Sequence, residues 1–363
     1  MPKKISIKRF SEWGIPFENV MFIAGPCSAE SEEQLLQTAL GLKGSAVNVL
    51  RAGIWKPRTR PGSFEGVGSE GLKWLKNAGN AINVPVTTEV ATPEHVEECL
   101  KAGIDVLWIG ARTTTNPFAV QAVADALKGV DVPVLVKNPI NPDIELWGGA
   151  LERLDRVGIK KLGAIHRGFS TYEKSKFRNQ PIWRIPLEAK HRNPQLPMFC
   201  DPSHICGNRD LLFSVAQNAM DLLFDGLMLE VHIDPASALS DSKQQLTPEG
   251  YNRLLSKLKI KKISTESEDF RKHIKTLRLE IDNLDHQLLE LLAKRMSNSR
   301  KIAFHKMNYD ISLFQPDRFE ETAKSWVKEG QGLSQDLSEE FLARLYQFIH
   351  EESLRVQEEV LSD

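Results

Sequence analysis

This sequence has few cysteines, no long apolar run and almost no net charge. Four cysteines in 363 residues do not form a disulfide framework, which predicts a reducing, cytoplasmic setting. No apolar run approaches the roughly 20 residues that span a bilayer, and the basic N-terminus lacks the apolar stretch of a secretory signal. A net charge of −1 gives no field that attracts nucleic acid or an anionic membrane. We therefore expect a cytosolic protein without either partner, in which phosphate recognition is local.

The first two-thirds of the chain has the pattern of a parallel α/β fold. Short β-rich runs alternate with amphipathic stretches of helix length. Eight runs are candidate strands, at residues 20–27, 46–53, 84–90, 106–112, 133–138, 161–168, 198–204 and 226–232. Eight such units favour a closed (β/α)8 TIM barrel over an open sheet, and a barrel of about 250 residues fits residues 1–258.

The pattern changes after residue 258. Residues 259–269 are polar and without periodicity, which predicts a linker, and residues 270–363 predict a separate all-α domain of three helices. The first of these helices has an apolar seam at 3-4 spacing, formed by Ile274, Leu277, Ile281, Leu284, Leu288 and Leu291. Three helices, the first so long, make a poor monomer. We expect a homodimer or higher oligomer formed through the helical domain.

Cationic side chains stand at or just after the ends of several candidate strands. They are Arg51, Lys56, Arg112, Lys137 and Arg167. The carboxyl ends of barrel strands converge on one face, where active sites lie. A lone cation there usually belongs to a surface ion pair, but five on one rim predict a site for a small, highly charged anion. Arginine suits bidentate capture of phosphate or carboxylate.

Four other residues near strand ends could bind a divalent metal. Cys27, His204, Glu230 and Asp241 offer sulfur, nitrogen and oxygen, a donor set that suits Mn, Fe, Co or Zn better than Mg or Ca. A single cysteine is more often a buried small hydrophobe, which fits Cys99 on its apparent helix. Cys200 and Cys206 flank His204, so a local thiol site is the alternative that remains open.

The apolar seam of the first tail helix continues into a charged residue. Arg295 stands where an apolar side chain is due, and burying a guanidinium without a partner is costly, so we expect an anion there. Lys306 lies three turns further on nearly the same face. Ser353 and Gln357 continue the apolar stripe of the last helix. The alternative is a loosely packed bundle whose long cations reach solvent.

Seven motifs stand in a characteristic order within residues 20–258. They are Ala24-Gly25-Pro26-Cys27-Ser28, Arg51-Ala52-Gly53, Lys56-Pro57-Arg58-Thr59, Gly110-Ala111-Arg112, Asp201-Pro202-Ser203-His204, Glu230-Val231-His232 and Leu239-Ser240-Asp241-Ser242-Lys243-Gln244. In this order they resemble the type I 3-deoxy-7-phosphoheptulonate (DAHP) synthases of the β subtype, which are related to the octulosonate 8-phosphate synthases. The Lys-Pro-Arg-Thr run is similar to the heptulosonate branch.

This resemblance implies a metal-dependent condensation of phosphoenolpyruvate with erythrose 4-phosphate. It implies one divalent ion held by Cys27, His204, Glu230 and Asp241. Phosphoenolpyruvate would lie among the five strand-end cations, and Arg58 and Thr59 would hold the phosphate of erythrose 4-phosphate. The metal would polarise the aldehyde. We expect neighbouring cations to lower the pKa of Lys56 and make it a general acid. The alternative is that Lys56 only neutralises carboxylate charge.

The tail resembles the all-helical chorismate mutases over residues 270–361. The motifs are Leu277-Arg278, Leu292-Ala293-Lys294-Arg295, Ile302-Ala303-Phe304-His305-Lys306, Asp317-Arg318 and Ser353-Leu354-Arg355-Val356-Gln357. The resemblance implies that chorismate is rearranged to prephenate. Its carboxylates would be held by Arg295 and by Arg278 of another subunit, and its ether oxygen by Lys306 and Gln357. Arg318 and Ser353 would also bind substrate.

Two positions depart from the mutase pattern, and both would contact the substrate hydroxyl. Phe319 replaces the usual glutamate and Gln315 replaces a common aspartate, which predicts weaker affinity with activity retained. We expect a bifunctional enzyme of aromatic biosynthesis whose mutase domain also senses pathway product. Three alternatives remain: a tail that only binds and regulates, an octulosonate synthase barrel, and a structural scaffold.

Overall fold

The computed structural model describes residues 5–56, 62–172, 175–261 and 267–362. The chain forms two compact units, Met1–Ile263 and Ser264–Asp363. The first is an α/β barrel and the second is all-helical, which confirms the predicted fold class. None of the described helices is long and apolar enough to cross a membrane.

Eight parallel strands close the barrel of the first unit. They are β1 Met21–Gly25, β2 Val49–Arg51, β3 Val86–Val90, β4 Val106–Ile109, β5 Val134–Lys137, β6 Leu162–His166, β7 Met198–Cys200 and β8 Gly226–Glu230. Each strand pairs with the next, and the pairing of β1 with β8 completes the ring. Every strand lies within its predicted range but is shorter.

Ten α-helices among the described residues of the first unit follow or connect the strands. They are α1 Glu32–Leu42, α2 Glu70–Ile82, α3 Pro93–Lys101, α4 Ala111–Thr114, α5 Pro117–Ala126, α6 Ile144–Arg156, α7 Arg184–Arg192, α8 Pro202–Cys206, α9 Leu212–Asp221 and α10 Pro248–Lys257. Capping residues fix where several helices begin. The Ser31 side chain accepts from Gln34 N at the start of α1, and Thr92 caps α3, which begins with a proline.

The barrel interior is filled with side chains. Alternate residues of the strands point inward, and they form a buried cluster of Met21, Ile23, Val49, Val106, Trp108, Leu135, Ile165, Phe199 and Met228. Trp13, from a short 3-10 helix at Phe10–Trp13, joins this cluster, and Phe10 packs edge-on against Phe199. The interior is therefore a packed core, and it leaves the carboxyl ends of the strands as the place for a site.

Three helices form the described part of the second unit, as predicted: α11 Glu268–Asn308, α12 Pro316–Leu333 and α13 Glu339–Ser362. Both α11 and α12 pack on α13, whose Leu342, Tyr346, Val356 and Val360 are buried. Gly330 of α12 allows close approach, because a Cβ there would lie 2.5 Å from Leu342. The amino-terminal half of α11 is exposed within the described chain.

Candidate functional site

Arg51 ends β2, Lys137 ends β5, and their side chains approach one aromatic ring. Their charged groups lie 5.0 Å and 5.6 Å from the centroid of the Trp108 ring, on which cations are attracted by the π system. Lys137 Nζ donates to Asp201 Oδ2 at 2.8 Å. Both cations are buried, so the carboxyl end of the barrel carries positive charge that is shielded from water.

The guanidinium of Arg51 is the most strongly buried cation of this group. One nitrogen lies 3.3 Å from Glu230 Oε1, and the side chain is only 1% exposed. Its Nε and Nη1 are buried without a hydrogen-bond partner among the residues that the structure describes. Leaving such donors unpaired is costly, and an anionic ligand that accepts from both removes the cost.

Cys27, Glu230 and Asp241 form a compact group of possible metal ligands. One ligand atom from each lies within 4.8 Å of the others. The Cys27 sulfur lies 3.4 Å from Asp241 Oδ2, and Gln244 Nε2 donates to Glu230 Oε2 at 2.6 Å. Asp241 has a φ of 48°, a left-handed conformation that costs a non-glycine residue energy and that recurs at functional sites.

His204 borders this group. Its Nε2 lies 3.7 Å from Glu230 Oε1, while its Nδ1 lies 2.8 Å from Asp201 Oδ2. A carboxylate beside one ring nitrogen fixes the imidazole so that the other nitrogen can act as a ligand. Burial lowers the pKa of His204, which favours the neutral, ligating form.

The charges of the group are set by burial and by neighbouring ions. Burial raises the pKa of the Cys27 thiol to about 12. Burial also opposes ionisation of Asp241, but positive charges beside it, among them Arg178 and Lys56, outweigh burial and hold the pKa of that carboxyl below its usual range. The pKa of Glu230 is lowered as well, since positive charges beside it, among them Arg51 and Lys56, outweigh its burial. The group thus presents two carboxylates and a thiol at neutral pH.

Lys56 contradicts the predicted direction of its pKa shift. Its Nζ donates to the Cys27 carbonyl at 2.8 Å and lies 3.0 Å from the Cys27 sulfur. Burial lowers the pKa of Lys56, but the Cys27 sulfur and the Glu230 carboxylate outweigh it, so the pKa is raised. The prediction counted the cations along the chain and missed the anionic partner on β8.

The remaining predicted barrel residues fall into different positions. Arg167 donates to Asn179 Oδ1 at 2.8 Å, and burial lowers its pKa to about 10, helped by Arg112. Arg112 lies on α4 and His204 on α8, so the prediction that both end strands was wrong, because the strands stop earlier. Arg58 and Thr59 lie outside the described residues.

Two site residues were missed by sequence reasoning. Arg178 donates to Asp241 Oδ1 at 3.0 Å and to Gln244 Oε1 at 2.9 Å. Asn179 accepts from Arg167 and donates to the His204 carbonyl at 2.6 Å. Both stand in a connection without periodicity, where the sequence offers no signal. They tie the cations to the group of possible metal ligands.

A second polar group lies among the helices of the second unit. Arg295 of α11 contacts the Ser353 hydroxyl and donates to the Ile349 carbonyl at 3.2 Å. Gln357 donates to the Ser353 carbonyl at 3.2 Å, and its Oε1 is buried without a partner in the described chain. Burial lowers the pKa of Arg295. Arg295 and Ser353 therefore meet between α11 and α13, and Gln357 lies one turn further along α13.

The other predicted residues of the helical unit lie differently. Lys306 contacts the Leu313 carbonyl at the end of α11, and burial lowers its pKa. Arg278 and Arg318 are exposed. Arg278 stands on the part of α11 where the apolar seam is also exposed, which agrees with a predicted role towards another subunit and does not test it.

An aromatic cluster from α12, α13 and the residues just before α12 borders this group. The His350 ring lies 4.7 Å from the Phe319 ring and 6.0 Å from the Phe314 and Tyr346 rings. His350 Nε2 is buried and has no hydrogen-bond partner among described residues. Sequence reasoning missed His350 because an imidazole on an apolar stripe is most simply interpreted as part of the core.

Both units match known families. Residues 17–266 match the DAHP synthetase I family, and residues 277–358 match chorismate mutase type II. Phospho-2-dehydro-3-deoxyheptonate aldolase of Thermotoga maritima is 35% identical over 237 residues, covering 65% of this chain and 68% of that protein. Its solved structure has a TM-score of 0.61 and 32% identity, and the match covers 70% of this chain and 72% of that one.

Octulosonate enzymes are also among the relatives. The 2-dehydro-3-deoxyphosphooctonate aldolase of Azoarcus sp. strain BH72 is 30% identical over 259 residues, which cover 66% of this chain and 90% of that protein. The two family matches account for both units, one for the barrel and one for the helices, and they support an enzyme activity in each.

Proposed function

This chain belongs to the DAHP synthetase I family, and we propose that its barrel condenses phosphoenolpyruvate with erythrose 4-phosphate. The products are 3-deoxy-D-arabino-heptulosonate 7-phosphate and phosphate. Together with the mutase region at residues 277–358, this gives one chain two reactions of aromatic biosynthesis. We also propose that the boundary between the two domains falls within residues 259–269.

The buried guanidinium of Arg51 carries the proposal for the barrel. Its two unpartnered nitrogens and the nearby Lys137 suit the phosphate and carboxylate of phosphoenolpyruvate. Arg112 and Arg167 add charge at the same end of the barrel. We assign the phosphate of erythrose 4-phosphate to Arg58 and Thr59 from the motif alone.

Cys27, His204, Glu230 and Asp241 fit one divalent ion of the Mn, Fe, Co or Zn type. The fit rests on their mixed donor set, and on Glu230 Oε1, which is buried without a hydrogen bond among the described residues. When bound, such an ion supplies Lewis-acid polarisation of the sugar aldehyde. Cys27 loses its proton to become a ligand.

Lys56 is the residue that we assign to proton transfer. It reaches the Cys27 sulfur and carries a raised pKa, so it is protonated at neutral pH. A protonated ammonium can donate to the oxygen that gains charge as the new carbon–carbon bond forms. Arg51 and Lys137 meanwhile hold the anionic substrate in place.

Loss of phosphoenolpyruvate absorbance in the presence of erythrose 4-phosphate tests the barrel assignment. We expect turnover with erythrose 4-phosphate and much slower turnover with arabinose 5-phosphate. The second candidate, an octulosonate synthase, is favoured by the relative from Azoarcus sp.. Faster turnover with arabinose 5-phosphate would replace our assignment with that one.

For the helical unit we propose rearrangement of chorismate to prephenate. Arg295, with its lowered pKa and its contact to Ser353, would hold a substrate carboxylate, and Lys306 and Gln357 would face the ether oxygen. The reaction is unimolecular, so positioning and charge stabilisation suffice. Arg318 of the same chain and Arg278 of the second chain in the dimer would complete the site.

Consumption of chorismate by the full chain tests the mutase assignment. Arg295→Ala should lower the rate of chorismate consumption by about 100-fold or more, because a charged hydrogen bond to the substrate is lost. Phosphoenolpyruvate turnover by the same variant is the internal control and should be unchanged. A chain that binds prephenate but never consumes chorismate would instead make the tail a purely regulatory module.

We propose that the helical unit forms the dimer and also senses pathway product. The exposed α11 seam supports the dimer, with Leu284 62% exposed and Leu288 54% exposed. Product sensing predicts that prephenate slows phosphoenolpyruvate turnover, and binding of prephenate without any such effect would refute it. The four free thiols agree with the reducing, cytoplasmic setting that we propose.

A further inference from the structure

His350 is the polar side chain of the helical site that the proposed mutase function leaves unused. It stands on one stripe of α13 with Tyr346, Ser353 and Gln357, at spacings of three and four residues. Residues at these spacings share one face of a helix. The imidazole therefore points to the same side as the serine and glutamine that we place against substrate.

The imidazole is held in a defined position by rings. The Phe319 ring lies 4.7 Å away with its plane tilted by 56°, and the Tyr346 ring is close to parallel at 22°. Nε2 is buried and has no hydrogen-bond partner in the part of the chain that the structure describes. A buried polar nitrogen normally has one, so the site lacks a group that Nε2 would bind.

The charge state of His350 follows from the same surroundings. Burial lowers the pKa of His350, and the nearby cations Arg295 and Lys306 lower it further, which outweighs Glu351. The imidazole is therefore neutral at pH 7 and lies within electrostatic reach of both cations. A neutral imidazole can donate to or accept from a hydroxyl, and it adds no charge to a site that must bind a dianion.

We propose that His350 Nε2 hydrogen-bonds the ring hydroxyl of chorismate. It would take the role of the glutamate that Phe319 replaces in this chain. This rests on the proposed mutase function. The two arginines and Lys306 with Gln357 take the carboxylates and the ether oxygen, so the hydroxyl is the polar group of the substrate that remains. Phe319 then acts as a positioning residue that packs against the imidazole.

The test compares chorismate with an analogue in which the ring hydroxyl is replaced by hydrogen, using the full chain. His350→Ala should lower kcat/KM for chorismate by about tenfold and leave kcat/KM for the analogue almost unchanged, since a site built for a hydroxyl discriminates through that bond. His350→Gln should recover most of the loss, because its amide can place a polar group near the position of Nε2. His191→Ala, a change of an exposed histidine on α7, is the matched control.

Three outcomes would overturn the proposal. Equal losses for both substrates would give His350 a packing role only, and so would a His350→Gln variant as slow as His350→Ala. Failure of the unmodified chain to consume chorismate would count against the mutase assignment alone. In that case the same variants are compared by equilibrium binding of prephenate, which keeps the hydroxyl. About tenfold weaker binding by His350→Ala with recovery by His350→Gln then supports the contact, and unchanged binding contradicts it.

Discussion

Single residues of the barrel are defined by partners that are distant in sequence. Arg51 ends β2, yet it lies against Glu230 at the end of β8 and over the ring of Trp108 on β4. Its remaining donors are unpaired among the described side chains. Such an arrangement holds a cation ready for an anion, because the low-dielectric surroundings strengthen each contact that the ligand makes.

Replacing Arg51 tests this argument directly. Arg51→Gln should lower kcat/KM for phosphoenolpyruvate by about 100-fold or more, since the change removes a charged donor and leaves Glu230 without its cation. Steady-state kinetics of phosphoenolpyruvate consumption measure the effect, and chorismate consumption by the same sample should be unaffected. An unchanged kcat/KM for phosphoenolpyruvate would exclude Arg51 from the site.

His166 gives a prediction for stability against pH. It ends β6 between the Phe169 and Trp183 rings, and burial lowers its pKa to about 3 from 6.5. Between these two pH values the unfolded chain binds one more proton at this residue than the folded chain. The free energy of unfolding therefore falls by up to about 1.4 kcal/mol for each pH unit as the pH decreases from 6.5.

In the variant His166→Leu the unfolded chain no longer binds this extra proton. Its free energy of unfolding in urea should depend less on pH between 6.5 and 5 than that of the unmodified chain, by about 1.4 kcal/mol per unit at most. His191→Leu, at an exposed position of α7, is the control and should keep the original pH dependence. The same slope in the His166 variant would mean that the folded protein can protonate His166.

At the scale of elements, periodicity predicted the fold well. All eight strands and the three tail helices were predicted, because buried strands are short apolar runs and amphipathic helices repeat every three or four residues. Strand ends were placed too late at Arg112 and His204, since these residues lie in short helices that periodicity does not detect. Arg178 and Asn179 were missed because their connection carries no pattern, and their partners are set by the closed barrel.

The apolar seam of α11 is expected to form the contact between subunits. We expect Leu284→Glu to break the dimer and to lower chorismate consumption, because burial of each leucine contributes roughly 1.5–3 kcal/mol and Arg278 would no longer reach a partner. Leu289→Glu is a matched control, since Leu289 is 64% exposed but lies off the seam. Sedimentation velocity reports the oligomer.

A monomeric unmodified chain with full mutase activity would contradict the dimer. Dissociation by Leu289→Glu to the same extent as by Leu284→Glu would show that the seam itself is not the contact. Phosphoenolpyruvate consumption should be retained in both variants if the barrel folds by itself around its own core.

At the scale of the whole molecule, the two sites use different chemistry. The barrel gathers sulfur, imidazole and carboxylates beside buried cations, whereas the helical site holds cations and amides without a comparable group of ligands among its described residues. The separate family matches of the two regions agree with this division. Metal removal should therefore act on one activity and leave the other.

The most direct measurement follows phosphoenolpyruvate and chorismate consumption in one sample, before chelation, after chelation and after addition of Mn²⁺. We predict that phosphoenolpyruvate turnover is lost with the chelator and returns with Mn²⁺, while chorismate turnover stays constant throughout. Phosphoenolpyruvate turnover that continues in the chelator would contradict the metal site at Cys27, His204, Glu230 and Asp241.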